Sequence, residues 1–113
     1  MEDKAIYSVP GTAGVRPETL LPFSNGWQAP SGDEVRYMLL QVGIAQNKGS
    51  ALTGKETGEL VGVLGRQVRR WLSGDSEIPF AAWAILCAEA GIGHIWKADL
   101  VPSETDRLPY GAE

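Results

Sequence analysis

Three arginines carry the sharpest chemical signal in this chain. Arg66, Arg69 and Arg70 are spaced i, i+3, i+4, which on a helix gathers them on one face. Val68, Trp71 and Leu72 have the same spacing and fall on the opposite face. One side of a short helix over 65–72 is thereby anchored in a core, while the other presents guanidinium groups and no acid. Surface helices usually mix signs along a face, so a merely solvated surface is the weaker reading. Guanidinium groups neutralise phosphates and can present two donors to the O6 and N7 of guanine. Gln67, at the edge of this face, could do the same for adenine. The chemistry these residue types offer is that of reading a DNA duplex.

The charge distribution agrees. Residues 48–73 hold Lys48, Lys55, Arg66, Arg69 and Arg70 against Glu56 and Glu59, a net charge of +3. The other residues hold five basic and twelve acidic groups, net −7, and the whole chain stands at −4. Positive charge is therefore concentrated in one stretch. The acidic remainder argues against a nonspecific nucleic-acid coat and against a polybasic membrane binder.

The elements that must hold this face are legible from caps and periodicity. At 113 residues, 43% hydrophobic and 21% charged, the composition is that of one globular domain rather than a disordered chain. Residues 1–30 contain Pro10, Pro17, Pro22 and Pro30 with Gly11, Gly14 and Gly26, which leaves no room for a long helix. Tyr7, Leu20, Leu21, Phe23 and Trp27 make this stretch too apolar for a plain leader. It reads as an irregular arm packed on the domain or on a partner. Ser31 and Glu34 form a capping-box pair, and Val35, Met38, Leu39 and Val42 then make one apolar stripe, with Gly43 as the expected stop. Residues 44–52 read as a loop. Thr53 and Glu56 make a second capping box before a short helix over 54–61 ended by Gly62. The arginine-bearing helix follows, ended by Gly74. Pro79 suits the first position of a further helix over 79–90, apolar on almost every face and closed by Gly91. Such a helix is buried all round; in so small a domain this points to a second subunit as well as the chain's own core. The domain is expected over 31–96, and 97–113 read as a polar, frayed tail.

With these residues in place, Thr53 to Gly74 resembles the helix-turn-helix of the Cro/C1 (Xre-type) repressors. The small residue inside the first helix is Gly58, the turn glycine is Gly62, and Val63 follows it. Val68 and Trp71 stand where a β-branched and then a large apolar residue are wanted. The ending Arg70-Trp71-Leu72-Ser73-Gly74, followed by Ile78-Pro79 and an apolar helix, fits as well. The resemblance covers about residues 31–92. It implies an all-α, compact four- to five-helix, lambda-repressor-like domain. It further implies a sequence-specific DNA-binding transcriptional regulator, more readily a repressor, with helix 65–72 in the major groove of a palindromic operator. Gly65, Arg66, Gln67, Arg69 and Arg70 fall where the family touches bases and nearby phosphates. Thr53, Gly54 and Lys55 fall where it grips the backbone, at a helix N-terminus that favours phosphate. The chain departs from the pattern at Leu64-Gly65, where a polar cap is usual, at Thr57, where an apolar residue is usual, and in its long 44–52 loop.

The expected partners are double-stranded DNA and a second copy of the chain, the dimer surface comprising Phe80, Trp83, Cys87, Ile95 and Trp96. An antitoxin of the same fold, with 1–30 or 97–113 as its toxin-binding segment, and a protein-interaction module without DNA binding are the alternatives. Gly49 to Lys55 matches most of a phosphate-binding P-loop, but Glu56 stands where a magnesium-holding hydroxyl is needed. No cofactor or metal is expected. His94 is the lone histidine and Cys87 the lone cysteine, without companions at ligand spacing, and no nucleophile–base pair points to an enzyme. One cysteine fits a reducing compartment. Met1-Glu2-Asp3-Lys4 is not the start of a signal peptide, and no apolar run reaches the length of a membrane span. A cytoplasmic location follows as an expectation.

Overall fold

The computed structural model describes residues 12–97, which form four α-helices with no strand among them. These are α1 (Gly32–Ala45), α2 (Gly54–Val61), α3 (Gly65–Ser73) and α4 (Phe80–Glu89).

Helix α1 begins at a complete capping box. Ser31 Oγ accepts from the Glu34 amide at 3.2 Å, and Glu34 Oε1 accepts from the Ser31 amide at 2.8 Å, so two otherwise unpaired donors are satisfied reciprocally. The predicted stripe of Val35, Met38, Leu39 and Val42 is buried. Gly43 does not end the helix, which runs two residues further. The chain instead doubles back through Asn47 (φ +61°) and Gly49 (φ +84°), and Leu52 donates its amide to the Leu39 carbonyl at 3.1 Å. This return path presses the Ser50 carbonyl against Gly43, where any Cβ would collide with it. The glycine answers to close backbone approach, not to helix termination.

Helices α2 and α3 are joined by Gly62, Val63 and Leu64. Gly62 adopts a left-handed conformation (φ +85°) and returns its amide to the Gly58 carbonyl at 2.8 Å. Gly58 is required by the turn itself, since a Cβ there would run into the Val63 carbonyl. Gly74 ends α3 with φ +88°. Pro79 is the N-cap of α4 rather than its first helical residue, one position earlier in the helix frame than its spacing suggests.

The core lies where α1, α3 and α4 meet. Met38, Val42, Val68, Trp83, Leu86 and Cys87 have no exposed surface, and α1 packs on both α3 and α4. Residues 12–30 belong to this body: they form two short 3₁₀ turns, Pro17–Leu20 and Phe23–Asn25, and place Leu20 of the first turn and Val15 just before it in the core. The Thr19 carbonyl accepts from both indole nitrogens facing it, Trp27 Nε1 at 2.9 Å and Trp83 Nε1 at 2.7 Å. Arg16 closes on Glu34 in a two-pronged pair, Nε to Oε2 and Nη2 to Oε1, each 2.9 Å. Burial pushes the Glu34 carboxyl up, but the Arg16 side chain and the amides of Ser31 and Arg16 outweigh this and hold it below its ordinary value. The parts of the expected arm and tail in 1–11 and 98–113 lie outside the described residues.

Candidate nucleic-acid interface

The site is built on α2 and α3. Helix α2 starts at its own capping box, with Thr53 Oγ1 accepting from the Glu56 amide at 3.1 Å and Glu56 Oε1 accepting from the Thr53 amide at 2.9 Å. The Thr53 amide first, and Lys48 next, hold the Glu56 carboxyl below its usual value. Thr57, the departure from the apolar pattern, is fully buried and donates its hydroxyl to the Thr53 carbonyl at 2.8 Å. A buried hydroxyl so paired costs little.

Helix α3 divides as its spacing predicts. Val68 and Trp71 are 0% and 2% exposed, whereas Arg66, Arg69 and Arg70 are all exposed. None of the three forms an ion pair among the described residues. The N-termini of α2 and α3 lie backbone to backbone, for a Cβ on Gly54 would sit 3.5 Å from the Gly65 carbonyl oxygen. Arg69 Nη1 lies 4.0 Å from that same Cβ position. The fold therefore brings Gly54 with its flanking Thr53 and Lys55 beside Gly65 and Arg69. The start of α3 has neither a side-chain cap nor an acid in its first turn, so its positive end is not neutralised locally.

Two residues behave differently from their sequence reading. Lys48 counts among the basic stretch but is tied inward: its Nζ meets Glu56 at 3.2 Å, Ser50 Oγ at 3.3 Å and the Ala51 carbonyl at 3.1 Å. It braces the 46–52 loop against α2. Gln67 is half-buried and donates Nε2 to Ser76 Oγ at 3.2 Å, so it must leave that partner before it can face an adenine edge with both groups. Lys55 stays open, 85% exposed, with Glu59 only loosely opposite at 4.0 Å.

The residues expected at a dimer surface separate into two sets. Trp83, Cys87 and Ile95 are 0% exposed within one chain and have nothing left to offer a partner; they are core. Burial pushes the Cys87 thiol pKa far up, leaving it an inert apolar filler. Phe80 is half-buried, held at 5.1 Å from Trp27 in an edge-to-face pair. Trp96 is exposed. The uncovered face of α4 is Ala81, Ile85 and Glu89, and the first two line a shallow apolar depression with Phe80, Ala84 and Trp96. The helix is thus not buried all round.

Two known proteins resemble this chain over most of its length. It is 43% identical over 86 residues to the transcriptional repressor protein KorC of Escherichia coli, an alignment spanning 75% of this chain and 93% of that protein. The chain belongs to the KorC family of transcriptional repressors. A second Escherichia coli protein named KorC is 44% identical over 84 residues, spanning 74% and 91% of the two chains. No protein-family model matches this KorC relative, and no solved structure matches it. Among its described residues no group of three His, Cys, Asp or Glu side chains is placed to share a metal ion. No helix among them is long and apolar enough to cross a membrane.

Proposed function

We propose that the chain is a transcriptional repressor that binds DNA sequence-specifically through a Cro/C1-like helix-turn-helix, with α3 in the major groove. The observation that carries this reading is the two-faced α3: Val68 and Trp71 are buried on one side, and Arg66, Arg69 and Arg70 stand exposed on the other without an ion pair among the described residues. Arg70 in the last turn favours the helix dipole, but nothing among the described residues pairs with the three guanidinium groups; a duplex supplies the phosphates and base edges that match them. Kinship with the KorC repressors supports the same regulatory role, as opposed to an enzymatic one. Arg66 and Arg70 read base edges, and Arg69, Thr53, Gly54 and Lys55 hold the phosphate backbone near the paired helix N-termini.

The repressor acts in the cytoplasm as a homodimer on a palindromic operator, because one short helix offers few base contacts and two symmetric copies double them. The surface that supports dimerisation is the apolar part of the open face of α4, Ala81 and Ile85, with Trp96. Selection of binding sites from a randomised duplex library at two salt concentrations tests the reading. Recovery of a short palindrome, bound less tightly as salt rises, is the expected result. A folded protein that enriches no sequence would overturn it.

A further inference from the structure

Leu64 is 64% exposed at the N-cap of α3, and the fold does not explain it. An N-cap is normally Ser, Thr, Asp or Asn, whose oxygen accepts from the first-turn amides; Leu64 makes no such bond. The apolar staple that often accompanies a helix start joins the residue before the cap to the fourth helical residue, here Val63 and Val68, and both are packed on the core. Leu64 is the residue between, turned to solvent. Gly65, next to it, is not demanded by packing either: an added Cβ would meet nothing closer than 3.5 Å. At the leading edge of the arginine-bearing helix, then, a large apolar side chain stands beside a residue with no side chain. Both choices weaken α3 as a helix.

We infer that Leu64 is a specificity-determining residue that packs on the 5-methyl group of a thymine. The methyl is the one apolar feature of the major groove, and an exposed leucine at the head of the arginine-bearing helix is positioned to meet it. The inference rests on the DNA-binding reading above and adds the base that this end of the helix selects.

The test uses the full chain and the operator recovered by selection, with each thymine replaced in turn by uracil, which lacks only the methyl. The wild type should lose about fourfold in affinity at one thymine per half-site, the loss expected for one unburied methyl group. Leu64→Ala and Leu64→Ser should bind the thymine and uracil operators equally. Leu64→Ser, which restores a capping hydroxyl, should melt no lower than the wild type. A wild type that binds all uracil operators as tightly as the parent overturns the inference, as does a Leu64→Ala protein that keeps the full methyl preference. A fall in the melting temperature of Leu64→Ser overturns it too, by giving Leu64 a structural role. A wild type that selects no operator at all overturns the DNA-binding reading instead, so the two failures are distinct.

Discussion

Helices α2 and α3 are eight and nine residues long and three residues apart, yet they begin in opposite ways. Helix α2 opens with a full capping box, and its Glu56 also meets Lys48. Helix α3 opens on Leu64, with no cap, no acid in its first turn, and three exposed arginines behind it. In α2 the capping groups close on one another and serve the fold, while Lys55 beside them stays open. In α3 the buried half serves the fold, and the open half leaves its donors for something outside the chain. The difference teaches that the stability of α3 comes from packing and not from its own ends, which frees its outer surface for recognition.

The largest expected effect breaks the packed half. Trp71→Ala should cost about 3–5 kcal/mol, enough to abolish cooperative thermal unfolding in a domain of this size. A stable, cooperatively melting variant would show that Trp71 does not anchor α3. Gly43→Ala belongs to the same class, because its methyl would collide with the Ser50 carbonyl; its melting temperature should fall well below that of the wild type.

On the open half, Arg70→Ala should leave the melting temperature unchanged and cost about 1–3 kcal/mol of specific operator binding. Equal loss on operator and random DNA would reassign Arg70 to phosphate contact. The caps provide a smaller contrast. Thr53→Ala should destabilise by about 1 kcal/mol, measurable by denaturant unfolding, whereas Leu64→Ala should not. Equal losses would erase the distinction between the two helix starts.

Acid provides a further contrast, within the frame that carries both helices. The folded Glu34 carboxyl lies below its unfolded value, so the stability it contributes is present above the ordinary carboxylate range and is lost as pH falls through the depressed value. Glu34→Gln should be less stable than the wild type at neutral pH, and the gap should close on acidification. A gap constant with pH would mean that the Arg16–Glu34 pair contributes no proton-linked stability.

Much of this was legible from local signals. Ser31/Glu34 and Thr53/Glu56 mark two helix starts because a capping box needs only residues three apart, and the arginine face follows from helical spacing alone. What was not legible depends on residues far apart in the chain. Gly43 reads as a stop until the Ser50 carbonyl is seen against it. The assignment of Trp83, Cys87 and Ile95 to the core instead of a dimer surface depends on packing between distant parts of the chain: the Trp83 indole finds its acceptor on Thr19, 64 positions away. A helix apolar on almost every face gives little periodicity from which to choose. Lys48 and Gln67 kept their charge and donors on paper, but Glu56 and Ser76 engage them in the fold. Leu64 offered a signal, an apolar residue at a cap, whose meaning needed its exposure.

The most direct measurement is operator affinity as a function of salt for the wild type and for the combined Arg66→Ala, Arg69→Ala, Arg70→Ala variant, with thermal melting of both in parallel. The open half of α3 as a DNA-reading surface predicts equal melting temperatures, loss of sequence-specific binding, and a shallower salt dependence for the variant. A variant that keeps the operator affinity and the salt slope of the wild type would contradict it.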